Sequence, residues 1–169
     1  LTFQKILKNE KDAMKKKLII ANKVEDMINT VVRQIAFLEF EKQVHDARKK
    51  GEISLDKLCE FWMKVQKDSL GEIFNYDEEY RYFWCYIPHF IHSPFYVYAY
   101  AFGDCLVNSL YGVYKSEKVE GFEEKYLEML KSGGKKHHKE MLEPFGISIN
   151  NPKFWQSGLD VISGYIDEL

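Results

Sequence analysis

Only three of the 169 residues are cysteine and only four are proline. Cys59, Cys85 and Cys105 are odd in number and far apart, so no CxxC pair, zinc ribbon or disulfide framework can be drawn from them. That usage points to a reducing compartment, and a cytoplasmic protein is expected. No apolar run approaches the roughly 20 residues a membrane helix needs, so no membrane partner is expected. The opening Leu1-Thr2-Phe3-Gln4-Lys5 lacks the pattern of a secretory leader. It also lacks an initiator methionine, and the expectation is a chain that begins inside a longer protein. Basic excess is missing as well: 24 Lys and Arg stand against 26 Asp and Glu, a net charge of −2. A general nucleic-acid binder needs a basic face to neutralise phosphates, and none is expected here. Four short signatures of catalysis or phosphate binding are absent too: HExxH, GxSxG, GxxxxGK[ST] and GxGxxG.

What is present is apolar and aromatic. Hydrophobic residues make up 46% of the chain and aromatics 15%, with 12 Phe, 11 Tyr and 3 Trp. This is enough to bury a core, with many of the aromatics inside it. The periodicity is helical over most of the chain. Val24, Met27, Ile28, Val31, Ile35, Leu38, Phe40 or Glu41, Val44 and Ala47 follow i, i+3, i+4, i+7 spacing, which predicts one long amphipathic helix closed at Gly51. Ser54 is an expected N-cap for a second helix, with Leu55, Leu58, Phe61, Trp62 and Val65 on its inner face and a stop near Gly71. Residues 72–94 read as an irregular aromatic stretch, bracketed by Pro88 and Pro94. A helix from about Pro94 to Lys115 carries Phe95, Tyr98, Phe102, Leu106, Leu110 and Val113. Others are expected near 120–131, ending at Ser132-Gly133-Gly134, around 138–144, and from the Asn151-Pro152 cap onward through Phe154, Trp155, Leu159, Ile162 and Ile166. No alternating strand pattern stands out, and the expected class is all-α.

Candidate chemistry is sparse outside one segment. Lys15-Lys16-Lys17 reads as a solvated helix face. His137, His138 and Glu140 have ligand chemistry, but Lys135, Lys136 and Lys139 are poor neighbours for a cation, and no metal ligands are assigned. His45 is expected to be exposed on a charged helical tail. Cys85 and Cys105 have hydrophobic neighbours and are read as core residues rather than nucleophiles. The segment from Ile87 to Gly103 differs: it holds His89, His92, Tyr96, Tyr98 and Tyr100 around a proline break. Imidazole N–H and phenol O–H groups are donors able to stabilise an oxyanion. Were residues 95–103 helical, Tyr96 and Tyr100 would share a face with Tyr98 nearly opposite. Ala99, Ala101 and Gly103 would then admit another helix closely. From the residues alone, both readings stay open, with a core aromatic helix at least level with an active-site wall.

Several segments together resemble the oligoendopeptidase F group of thimet-oligopeptidase-like zinc metallopeptidases. Lys23 to Phe37 resembles the family's helix after the zinc site, and Ile87 to Gly103 its active-site aromatic segment. Lys125-Tyr126-Leu127-Glu128-Met129-Leu130-Lys131-Ser132-Gly133-Gly134 resembles its KYLELLxxGG stretch. Phe145-Gly146-Ile147 with Asn151-Pro152-Lys153-Phe154-Trp155 resembles its C-terminal end. The resemblance runs in order along essentially the whole chain. It implies that residues 1–169 form a single C-terminal piece of a mainly helical, zincin-type catalytic domain. That piece would start just downstream of the last zinc ligand, because HExxH and the ligand glutamate are not in this sequence. By the same resemblance, His89, Tyr96 and Tyr98 are catalytic, and Tyr100 and His92 bind substrate. Zinc would serve the full-length enzyme but not this chain alone, which is expected to be inactive. The partners implied are short peptides, and surface left bare by the missing half favours self-association of the isolated chain. The alternative expectation is a catalytically dead helical peptide-binding or interaction module.

Overall fold

The Ser54 hydroxyl accepts a hydrogen bond from the Lys57 amide at 3.2 Å, and the helix it caps runs Leu55–Leu70 until Gly71 turns away at φ +71°. Local signals of this kind set most boundaries in the computed structural model, which describes residues 2–169. Leu1 lies outside the described residues. The helices are α1 (Thr2–Asn9), α2 (Ala13–Thr30), α3 (Val32–Arg48), α4 (Leu55–Leu70), α5 (His89–His92), α6 (Tyr98–Lys115), α7 (Phe122–Ser132), α8 (His138–Leu142) and α9 (Pro152–Asp167). Short 3-10 turns cover Gly71–Ile73, Glu79–Tyr86 and Glu143–Phe145. Among the described residues no strand occurs, and the class is all-α as expected. Asn151 caps α9 through its Oδ1, 3.0 Å from the Lys153 amide, with Pro152 in the first turn. Gly133, at φ +52°, closes α7.

Two expectations about long helices need correction. The predicted helix from Val24 to Ala47 is interrupted at Val31, whose backbone sits at φ −102° and ψ −68°. Its hydrogen bonds continue across the break, from the Val31 amide to Met27 and from the Ile35 amide to Val31. The Thr30 hydroxyl also donates to the Asp26 carbonyl, a back-bond of the kind that bends helices. The inner face is re-aimed as a result. Beyond Val31 the buried residues are Ala36, Phe37, Phe40 and Glu41, while Ile35 is exposed. The helix predicted from Pro94 starts instead at Tyr98, because residues 93–96 form a turn described below. Phe95 and Tyr98, expected at its helical spacing, are exposed, whereas Ala101, Cys105, Ser109 and Leu110 are buried.

The chain divides into two units, Asp26–Phe102 and Leu1–Glu25 with Gly103–Leu169. The Asp26–Phe102 unit is centred on Phe37, Phe40, Trp62, Val65 and Val97, with Tyr80, Trp84, Ile87 and Phe90 packed around them. The Trp62 ring lies 5.6 Å from Phe37 and 5.4 Å from Phe40. Its indole N–H donates to the Tyr80 carbonyl at 3.0 Å, and the Tyr80 hydroxyl donates to Gln66 Oε1 at 3.0 Å. These bonds fasten the aromatic 3-10 segment to α4. Burial raises the Tyr80 hydroxyl above its ordinary pKa.

The other unit packs α9 against α6. Ser109 Oγ lies 2.7 Å from Ser157 Oγ and donates to the Phe154 carbonyl at 3.1 Å. Phe122 stands 5.1 Å from Phe145 and 5.4 Å from Tyr114. The close helix approach expected at Gly103 is not found there, since a Cβ on Gly103 would meet nothing within 4 Å. Gly158 makes that approach instead, against Cys105.

Candidate active site

Ser93, Pro94, Phe95 and Tyr96 make a β-turn closed by the Tyr96 amide donating to the Ser93 carbonyl at 3.3 Å. Proline supplies the fixed φ of the second position. The third position needs a left-handed backbone, and Phe95 takes it at φ +59°. A residue other than Gly or Asn there costs about 1–2 kcal/mol. Two contacts offset that cost. The Phe95 amide donates to Glu41 Oε1 at 2.9 Å, and the Phe95 ring packs 4.5 Å from that of His45. Immediately after the turn Val97 is fully buried in the aromatic core. The chain therefore enters α6 at a fixed angle.

That angle brings three of the five proposed site residues together. His89, the first residue of α5, lies parallel to the Tyr96 ring, with centroids 6.2 Å apart and planes 4° apart. Tyr100, in the first turn of α6, stands edge-on to both, 5.6 Å from His89 and 5.7 Å from Tyr96. His89 Nε2 and the Tyr100 hydroxyl are hydrogen-bonded at 2.9 Å, the donor being set by the imidazole tautomer. With the proton on Nε2, His89 donates and the Tyr100 hydroxyl keeps its own proton for an outside acceptor. Tyr96 and Tyr100 are both exposed. The trio thus offers phenolic donors on an aromatic wall.

Tyr98 and His92 stand apart from it. Tyr98 is exposed at the start of α6 and His92 is exposed at the end of α5, and neither shares a ring contact or hydrogen bond with the trio. Two further readings are corrected by the geometry. Cys85 is exposed rather than core, because the 3-10 segment turns it outward; Cys105 is buried as expected, and burial pushes its thiol pKa up. His45 is partly covered, because its ring supports Phe95. His137 caps α8, accepting weakly from the Lys139 amide at 3.4 Å, with its ring 3.9 Å from that of His138. Among the described residues no group of three or more His, Cys, Asp and Glu is placed to hold a metal ion. The residue that sequence reading missed is Glu41. The sequence offers it only as an alternative to Phe40 in the helical spacing, and nothing there links it to a turn 54 positions away.

The profile of Peptidase family M3 matches residues 1–161. The chain belongs to this family. It is 33% identical over 165 residues to an oligoendopeptidase F homolog of Borreliella burgdorferi, covering 97% of this chain and 28% of that protein. It is 26% identical over 165 residues to the oligopeptidase PepF of Bacillus subtilis, covering 97% of this chain and 24% of that protein. The crystal structure of oligoendopeptidase-F from Enterococcus faecium shares its fold, with a TM-score of 0.80 at 24% identity over 99% of this chain and 33% of that one. The chain therefore spans about a quarter to a third of the length of these relatives. Among the described residues no helix is long and apolar enough to cross a membrane.

Proposed function

We propose that these 169 residues work within a zinc-dependent oligoendopeptidase that hydrolyses short peptides, as the C-terminal stretch of its catalytic domain. In this reading the trio of His89, Tyr96 and Tyr100 is the wall against which a substrate peptide lies. The observation that carries it is the His89–Tyr100 hydrogen bond beside the parallel Tyr96 ring in an M3-family chain. As a scissile carbonyl is attacked, its oxygen gains negative charge and moves toward nearby donors. A phenol O–H held by an imidazole is already oriented for that charge, so little reorganisation is needed at the moment of reaction. Tyr98 and His92, exposed at the edge of the same segment, would contact more distant parts of the peptide.

Zinc would supply the activated water in such an enzyme. Among the described residues no group of three or more His, Cys, Asp and Glu is placed to hold the metal, and His89 Nε2 is engaged by Tyr100. The ligands implied by the family resemblance, HExxH and a glutamate, would be held by polypeptide outside this sequence. Two simple experiments test this division. Reading the coding sequence directly upstream of Leu1 should reveal an in-frame HExxH. The 169-residue chain alone should fail to cleave a quenched peptide with zinc present, and zinc-dependent cleavage by it would refute the assignment. The three free cysteines fit a cytoplasmic setting. Exposed apolar side chains such as Ile73, Phe74, Tyr86 and Ile91 fit self-association of the isolated chain. Light scattering showing a monomer at high concentration would count against that.

A further inference from the structure

We propose that Glu41 is the positioning residue of the His89–Tyr96–Tyr100 trio, acting by holding the amide of Phe95 in its left-handed turn. The inference rests on the function proposed above and adds a residue to it.

Four observations meet at this carboxyl group. Glu41 is 2% exposed, on a face of α3 otherwise made of Ala36, Phe37 and Phe40. An acidic side chain is rarely buried so fully without a specific partner. Its Oε1 accepts from the Phe95 amide, while Oε2 is buried with no hydrogen-bond partner. Leaving such an atom unsatisfied costs stability, so the side chain is poorly explained by packing alone. The bond goes to the third residue of a β-turn, whose amide is not used in closing the turn. That residue is also one of only two non-glycine residues with positive φ among those described. The next residue along the chain is Tyr96, whose ring lies parallel to His89, and Tyr100 follows in the first turn of α6. Releasing the Phe95 amide would let residue 95 relax toward negative φ. Tyr96 would then rotate away from His89, and the entry angle of α6 that sets Tyr100 would change. Glu41 need not touch a substrate to have this effect.

The test uses the 169-residue chain, with imidazole nitrogen NMR of His89 (assigned from the spectrum of His89→Ala), amide exchange at Phe95, and binding of a short unstructured peptide. Glu41→Gln keeps a side-chain oxygen at the right length and should retain the wild-type His89 tautomer signature and Phe95 protection. Glu41→Leu removes the acceptor. Glu41→Asp retracts it by one methylene and remains available should the leucine variant fail to fold. Both should shift the His89 nitrogens toward those of a free imidazole and speed Phe95 exchange by about tenfold or more. Val65→Ala opens a cavity in the same core and lowers stability while keeping the Glu41 acceptor, and it should leave both signals unchanged. The proposal is overturned if Glu41→Asp and Glu41→Leu keep the wild-type His89 signature, or if Val65→Ala reproduces their effect. Peptide binding separates this claim from the one beneath it. If His89→Ala binds peptide as the wild type does while the Glu41 variants still shift His89, the peptide-wall reading falls and the positioning role stands.

Discussion

Gly158 of α9 faces Cys105 of α6 so closely that a methyl group on Gly158 would lie 2.7 Å from the Cys105 sulfur and 3.0 Å from its Cα. No real Cβ tolerates that distance, and one of the two atoms is backbone that cannot swing aside. Glycine in a helix interior costs about 0.5–1 kcal/mol relative to alanine, yet here the close approach outweighs it. Gly158→Ala should therefore destabilise the chain by about 1–3 kcal/mol. Gly164 lies in the same helix with nothing within 4 Å of its virtual Cβ. Gly164→Ala should stabilise by about 0.5–1 kcal/mol. Urea unfolding of the two variants gives the comparison, and a stabilised Gly158→Ala would mean the helices are not this close.

Thiol accessibility should distinguish the three cysteines. Cys85 is exposed, whereas Cys59 and Cys105 are buried, and burial also holds the Cys105 thiol in its protonated form. The thiolate is the reactive species. A maleimide should label Cys85 within minutes in the native chain and reach the other two only on unfolding. Mass mapping that finds native labelling at Cys105 would contradict the packing of α6.

Asp104 gives a pH test with a definite sign. Burial raises its carboxyl above the ordinary 3.8, while the charge of Lys23 and the Asn108 amide pull the other way without cancelling it. The folded chain thus keeps this proton to higher pH than the unfolded chain does. Its contribution is full below about pH 3.8 and is lost as pH rises through the raised value. Asp104→Asn cannot ionise and still offers an oxygen to Asn108. Its melting temperature relative to wild type should be more favourable at pH 7 than at pH 3. The opposite trend would show that Lys23 dominates.

How much of this was legible beforehand depended on range. The Ser54 and Asn151 caps, the Gly71 and Gly133 stops and the all-helical class follow from local chemistry acting within four residues, and sequence reports such chemistry well. The grouping of Tyr96 with Tyr100 was expected from a helix, but the structure achieves it without one, since Tyr96 precedes α6. The turn was hidden because phenylalanine is an unusual residue at positive φ, and its support comes from Glu41 and His45 on a distant helix. The break at Val31 was hidden for a different reason: the apolar spacing runs through it, and only the buried face changes. The outward turn of Cys85 belongs to an eight-residue 3-10 segment, whose three-residue repeat places side chains where an α-helical reading does not.

In the proposed function His89 and its tyrosines act on the peptide carbonyl while zinc is held elsewhere. Its most direct test is peptide turnover by a polypeptide joining these residues to the upstream zinc-binding segment, comparing wild type with His89→Ala and recording zinc content and melting temperature alongside. His89 orients the Tyr100 hydroxyl as donor, and an oxyanion donor lost or left unoriented is worth about 2.7–4 kcal/mol of barrier. His89→Ala should lower kcat by about 10²–10³-fold with zinc content and folding unchanged. Unchanged turnover in His89→Ala would contradict it and leave the aromatic segment as packing.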